Sequence, residues 1–251
     1  MKKQNILIFF SLFFLLSLSV PIFAQRIPIP SFNFGIGEAS NPKQVALTLE
    51  TLALVTVLTL APAIIMMTTS FVRISIVFLF ISRALSTQQI PPNQIVMGLA
   101  IFLTIFVMSP TWKEVNDQAL KPYFERKISV SEMYDRGIKP VRKFMFKQTR
   151  PKDLGLFVKL SGLSRPKNPD DIPTYVLIPS FMISELKTAF TMGVALFIPF
   201  VVIDLVVASI LMSMGMIMLP PVMISLPLKI LVFVLADGWH LLTWSLVRSF
   251  S

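Results

Sequence analysis

The sequence predicts an all-α integral membrane protein. Four apolar segments are expected to form broken helices or helical hairpins, with a helical polar block between the second and third segments. Two observations indicate this class. Apolar residues make up 54% of the 251 positions and charged residues 14%, whereas soluble domains are about 45–50% apolar and about 25% charged. Long stretches also carry almost no charge, and in lipid their backbone polar groups must be bonded internally, as they are in a helix.

The N-terminal 24 residues have the pattern of a cleavable signal peptide. Two lysines near the start precede an apolar stretch at residues 6–20, which is shorter than the roughly 20 residues that span a bilayer. Cleavage is predicted between Ala24 and Gln25, leaving a proline-rich, mobile tail at residues 25–44. The alternative is an uncleaved helical anchor.

Residues 45–112 are predicted to hold the first pair of hydrophobic helical segments. The first segment, residues 45–82, is too long for one straight span, and Pro62 and Arg73 interrupt it. A proline pair followed by asparagine forms a turn before the second segment, residues 95–112.

A polar block at residues 113–172 separates this pair from the second pair, at residues 173–251. The second pair comprises segments 178–219 and 222–247, with two prolines between them. The block contains 14 Lys/Arg and 8 Asp/Glu, a net charge of +6. Its positive charge favours the cytoplasm, but the positive-inside rule weakens for loops of about 60 residues. The cleaved signal peptide therefore places the block outside, in the periplasm. No nucleic-acid recognition pattern accompanies the charge.

Charges within the apolar segments are the first candidate functional residues. A lone charge at the centre of a bilayer costs roughly 2.5–3.5 kcal/mol on insertion scales, so these side chains should face protein or water. We predict a Glu185–Lys229 ion pair, with Asp204–Lys229 as the rival pairing. Snorkelling to the lipid headgroups and a proton or ion relay are the other interpretations. The charges are Arg73, Glu185, Lys187, Asp204, Lys229 and Asp237.

A methionine-rich stretch at the end of the third segment is the second candidate. Its methionines alternate, a spacing that does not form one face of an α-helix, and the glycine and the following prolines favour a loop. Because methionine is unbranched and polarizable, several such loops around one axis would make a deformable seal. Ordinary apolar packing is the alternative. The predicted gate residues are Met212, Met214, Gly215, Met216, Ile217 and Met218.

Catalytic chemistry has few residues available. The chain has no cysteine and one histidine, His240, which excludes thiol nucleophiles, disulfides and Cys/His zinc sites; we expect the histidine to be packed or interfacial. The S-x-x-K match at residues 184–187 lacks its companion motifs, and there is no Walker A sequence. We therefore predict a protein that is not an enzyme and has no metal or other cofactor.

Several ordered motifs resemble those of the FliP family of flagellar export-gate proteins, and the resemblance covers nearly the whole chain after the leader. The two long motifs are IPSFMISELKTAF at residues 178–190 and PLKILVFVLADGW at residues 227–239. The shorter ones are TSFVRI at 69–74, PPNQ at 91–94, QTR at 148–150 and DLGLF at 153–157.

The resemblance implies a core subunit of the type III export gate, in the bacterial inner membrane at the flagellar basal body. About five copies would assemble with FliQ- and FliR-type partners and further export-apparatus proteins. The resulting conical channel would pass unfolded flagellar subunits, with the methionine-rich loops closing it at the axis. Members of the family often have a continuous methionine run, which Ile217 interrupts here.

Two other functions remain as alternatives. An export-gate subunit of a virulence injectisome is the nearer one, although the leader and the large polar block resemble the flagellar branch. A secondary transporter for a small solute would also use broken helices and intramembrane charges, but such transporters usually contain internal repeats. None is visible in this sequence.

Overall fold

The structure is a computed structural model, which describes residues 42–85, 92–163, 166–216 and 218–250. The predicted signal peptide, its cleavage site at Ala24 and Gln25, and Ile217 lie outside the described residues. The chain divides into two units, residues 1–51 and residues 52–251. Within the first unit the structure describes only the beginning of the first helix, and all remaining elements belong to the second.

The described residues are helical and contain no β-strand, so the all-α prediction is confirmed. A π-helical turn, Asn116–Leu120, joins the helices Asn93–Val115 and Lys121–Phe124, and a 3-10 turn, Pro169–Asp171, precedes the helix Thr174–Ser213. The α-helices in chain order are α1 (Pro42–Met67), α2 (Phe71–Ala84), α3 (Asn93–Val115), α4 (Lys121–Phe124), α5 (Val130–Gln148), α6 (Pro151–Leu160), α7 (Thr174–Ser213), α8 (Pro221–Leu235) and α9 (Gly238–Arg248).

Three of the described helical stretches are long and apolar enough to cross a membrane: Val45–Met67, Asn93–Phe124 and Thr174–Ser213. Helices α8 and α9 qualify as a fourth span if the pair is counted together, although they meet at 63°. The four apolar segments predicted from the sequence therefore correspond to four candidate spans.

Prolines do not interrupt the helices where the sequence analysis expects breaks. Helix α1 runs through Pro62, and α7 runs through both Pro179 and Pro199. A proline removes one helical hydrogen bond, and in a long helix the neighbouring turns hold the conformation. The first segment instead breaks at residues 68–70, between α1 and α2.

Helix α2 lies at the centre of the main core. Its buried residues Ile74, Val77, Phe78 and Ile81 recur at three- and four-residue intervals, which places them on one helical face. That face packs against α7 and α3. The helices lie close together at Gly193 of α7, where an added Cβ would lie 2.5 Å from the Phe80 ring.

The polar block is helical, as predicted. Helix α5 begins with a capping box in which the Ser129 backbone N–H donates to the Glu132 carboxylate at 3.0 Å. That hydrogen bond, with a second from the serine hydroxyl, holds the pKa of Glu132 below its ordinary value. Further along α5, Arg142 donates to the Ile172 carbonyl at 2.7 Å and to the Thr174 hydroxyl at 2.6 Å. The block is thereby fixed to the beginning of α7.

Candidate functional site

A buried ion pair joins α2 to α7. The guanidinium of Arg73 donates from Nε to Glu185 Oε2 at 2.9 Å, and from Nη2 to the other carboxylate oxygen. The Arg73 side chain is 3% exposed and that of Glu185 is 0% exposed. Both charges are therefore removed from solvent, and each depends on the other for compensation.

The remaining donors of Arg73 reach two further parts of the chain. Nη2 donates to Gln148 Oε1 at 3.0 Å, at the end of α5. Nη1 donates to the Ser249 carbonyl at 2.9 Å and to its hydroxyl at 3.0 Å, just after α9. The guanidinium carbon also lies 4.0 Å from the centroid of the Phe250 ring. One side chain thus connects α2, α5, α7 and the residues that follow α9.

Residues 249–250 are held from the polar block as well. The Phe250 carbonyl accepts hydrogen bonds from Lys147 Nζ at 3.3 Å and Gln148 Nε2 at 3.1 Å. Its ring stacks on Phe144 with centroids 6.3 Å apart. Phe250 belongs to the same buried cluster as α2.

A second set of polar contacts lies beside this ion pair. Ser184 donates from Oγ to Asp153 Oδ2 at 2.7 Å and accepts from the Arg150 backbone N–H at 3.0 Å. Arg150 also reaches Thr188 Oγ1 at 3.2 Å. Four of the motifs that carry the family resemblance, at 69–74, 148–150, 153–157 and 178–190, therefore meet in one place.

A second ion pair joins α7 to α8. Lys229 Nζ lies 2.6 Å from Asp204 Oδ2, and Ser225 donates to the other oxygen of this carboxylate at 2.6 Å. The lysine side chain is 1% exposed, whereas the aspartate is 36% exposed. The pair fixes the side of α8 against the second half of α7.

The predicted Glu185–Lys229 pair is wrong, and the rival Asp204–Lys229 pairing is the one found. Glu185 and Asp204 lie 19 residues apart on the continuous helix α7, a separation of about 28 Å at 1.5 Å per residue. A lysine bonded to Asp204 cannot span that distance.

The methionine-rich loop begins where α7 ends, and Gly215 makes this end possible. Its φ of +75° is in the left-handed region that favours glycine. Gly215 donates to the Met212 carbonyl at 3.1 Å and Met216 to the Leu211 carbonyl at 3.0 Å. This is the Schellman arrangement, which satisfies the last carbonyls of a helix. Helix α8 then begins with the proline pair, at Pro221.

All four methionines of the predicted gate are exposed in the single chain. Met212 is 62% exposed, Met214 66%, Met216 43% and Met218 97%. Buried methionines elsewhere in the described chain, such as Met108 and Met145, are 0% exposed. The loop thus presents thioether side chains outward at the end of a long helix.

The other two predicted charges, Lys187 and Asp237, belong to neither ion pair, and Lys187 is exposed on α7. Asp237 lies at the bend between α8 and α9 with a φ of +49°. Its carboxylate is 3.3 Å from His240 Nδ1, and both side chains are exposed. His240 is therefore not packed within this chain. Beside it, an added Cβ on Gly238 would lie 2.3 Å from the Phe233 ring, so the bend is tightly packed.

No metal centre is evident among the residues that the structure describes, since none of their carboxylates and imidazoles form a group of three or more. The polar clusters are ion pairs with hydrogen-bonding neighbours. Their geometry suits them to fix helices against one another.

Sequence reasoning missed several partners of the predicted charges. Gln148 belongs to a motif to which the sequence assigns no role. Its contact with Arg73 shows that it helps to hold the guanidinium. Ser249 and Phe250 carry no sequence signal, because they lie more than 170 residues from Arg73. Ser225 could have been found from its spacing, since it precedes Lys229 by one helical turn.

We expect Arg73→Lys to destabilise the protein, because lysine keeps the charge but lacks the planar fork that serves Glu185, Gln148 and Ser249 together. Removing one partner of a buried pair costs about 3–5 kcal/mol, and the lysine variant, which keeps the charge, should lose part of that. A lower melting temperature of the purified protein in detergent would show it. Arg83→Lys is the matched control, on the same helix but exposed, and should change nothing. Equal melting temperatures for the two variants would contradict the role of Arg73.

We expect Lys229→Asp to reduce the amount of folded protein in the membrane, since it places two carboxylates together. Asp204→Lys should act in the same direction, more weakly because this position is partly exposed. The double exchange should recover part of the loss, and quantitative immunoblotting of membrane fractions measures it. Additive losses in the double variant would show that the two residues are not coupled.

Comparisons with known proteins identify the family of this chain. A model of the FliP family matches residues 54–246. The Flagellar biosynthetic protein FliP of Bacillus subtilis is 52% identical over 86% of this chain and 97% of its own length. That of Borreliella burgdorferi is also 52% identical, over 88% and 87%. That of Treponema denticola is 42% identical over 99% of both chains. At these identities over most of its length, the chain belongs to the FliP family.

Proposed function

We propose that the chain is a core subunit of the flagellar type III protein export gate, in the bacterial inner membrane at the basal body. Several copies, about five, assemble with FliQ- and FliR-type partners around a channel for unfolded flagellar subunits. Residues 212–218 close this channel at its axis. Family membership and four candidate spans support a membrane-associated flagellar component. The export gate, its partners, its location and the role of residues 212–218 are what we propose.

The loop is the observation that carries the proposal. Four thioether side chains project from a glycine-terminated helix end, and no charged residue lies between Ser213 and Leu228. An aqueous channel that passes many different side chains needs a seal without fixed shape or charge. Methionine provides this because its flexible side chain adapts to irregular surfaces.

The uncovered apolar surfaces support assembly with further subunits. Within Val45–Met67 the most apolar stretch of α1 is 0% buried, and within α7 only 17% of the corresponding stretch is buried. Surfaces of this kind are covered either by lipid or by other subunits. The polar block would then lie in the periplasm and pack between subunits.

The relatives described above, at 42–52% identity, are flagellar biosynthetic proteins, which favours the flagellar branch over the injectisome alternative. No observation in the structure favours a small-solute transporter. In the ion pairs Arg73–Glu185 and Asp204–Lys229, the charged groups bond to each other and to neighbouring hydroxyl and amide groups.

The first test is the native mass of the complex, extracted in mild detergent through a tag on this chain after co-expression with candidate FliQ- and FliR-type partners. The expected result is a particle with several copies of the chain and both partners. A monomer or dimer without partners would overturn the assembly. The subunit mass also tests cleavage after Ala24, which would leave 227 of the 251 residues.

The second test replaces Met212, Met214, Met216 and Met218 together by alanine or glycine. Because the shorter side chains leave gaps at the axis, we expect the membrane to leak ions and small solutes. Conductance of the complex in planar bilayers measures this. The matched control replaces the same four positions by leucine, which retains the apolar bulk and should conduct far less. Unchanged conductance in the alanine and glycine variants would remove the gate assignment.

A further inference from the structure

We propose that the methionine-rich loop is a site of reversible oxidation to methionine sulfoxide, and that this modification makes the closed channel permeable. The permeability change rests on the gate assignment proposed above. The modification itself rests on the exposure and the chemistry of the loop.

Within the single chain, exposure separates the loop methionines from the core, and in the proposed gate the loops lie at the aqueous channel. Met218 is 97% exposed and Met214 66%, whereas Met108 and Met145 are 0% exposed. Oxidation of methionine depends on access of the oxidant to sulfur. The two buried methionines are thus internal references within the same chain.

Hydrogen peroxide is a sufficient co-reactant. The thioether sulfur attacks one peroxide oxygen, the O–O bond breaks, and a proton transfer gives methionine sulfoxide and water. Sulfur loses two electrons and peroxide gains them. The reverse step, catalysed by methionine sulfoxide reductases, returns the oxygen as water while a dithiol is oxidised to a disulfide.

Methionine sulfoxide is polar, whereas a seal against water needs apolar side chains. A sulfoxide carries a strongly dipolar S–O bond that accepts hydrogen bonds from water, so a side chain that excluded water now holds it. The loop offers little to bond that oxygen, because residues 212–218 contain no charge and the hydroxyl of Ser213 already donates to the Ile210 carbonyl at 2.7 Å. Because several copies of the loop would lie around one axis, oxidation at one methionine position would place several sulfoxides in the seal.

The extent of oxidation is tested first, by treating the intact purified complex with hydrogen peroxide and mapping sulfoxides by peptide mass spectrometry. We expect Met214 and Met218 to react roughly tenfold or more faster than Met108 and Met145, in line with their access to solvent. Equal rates for the two pairs would overturn the proposal.

The effect on permeability is tested by bilayer conductance of the same complex before oxidation, after it, and after treatment with both sulfoxide reductases and dithiothreitol. Conductance should rise at least severalfold on oxidation and return on repair. The variant with leucine at all four loop positions keeps the other exposed methionines, such as Met66 and Met223, and should show no rise. A rise in the leucine variant would place the effect outside the loop.

The alanine and glycine variants distinguish failure of this inference from failure of the gate assignment. If they leak but the oxidised complex stays closed, oxidation does not open the gate and the inference alone is wrong. If neither conducts although the loop is oxidised, the loop does not seal the channel and both are wrong.

Discussion

The buried charge of Arg73 is the constraint on which the arrangement of the helices depends. A guanidinium and a carboxylate removed from water each lose several kcal/mol of hydration, which good geometry and additional hydrogen bonds must offset. Glu185 supplies the opposite charge, and Gln148 and Ser249 accept from the remaining donors. Because these partners lie on different elements, α2, α5, α7 and the residues after α9 must come together for all the donors of Arg73 to be satisfied.

Little of the apolar surface of the long helices is buried within the single chain. The main cluster lies around α2, while α1 and much of α7 expose apolar side chains along their length. Directional polar contacts therefore determine which helices meet, and the broad apolar faces remain for lipid and for other subunits. This division is suited to a subunit that must take its fold before its largest surfaces are covered, because the polar contacts do not depend on those surfaces.

The sequence predicted the parts of the structure that depend on local composition. The four candidate spans follow from hydropathy, and the end of α7 follows from Gly215 and the prolines after it. The partner of Arg73 could not be predicted, since Glu185 lies 112 residues away and periodicity reports only which face of a helix is apolar. The continuity of α7 was missed for a different reason. Pro199 argues locally for a break, but it removes a single hydrogen bond from a helix that the neighbouring turns and tertiary packing maintain.

The length of helix α7 has a consequence for the position of the loop. Its 40 residues extend for about 60 Å, roughly twice the hydrocarbon thickness of a bilayer. Glu185 is bonded to Arg73 in the first third of this helix, the methionine-rich loop follows its other end, and the Asp204–Lys229 pair lies between them. Because the loop lies some 40 Å from Glu185, a difference of about 10° in the direction of the helix at Glu185 corresponds to about 7 Å at the loop. The direction in which the polar contacts hold α7 therefore strongly affects where the loop lies.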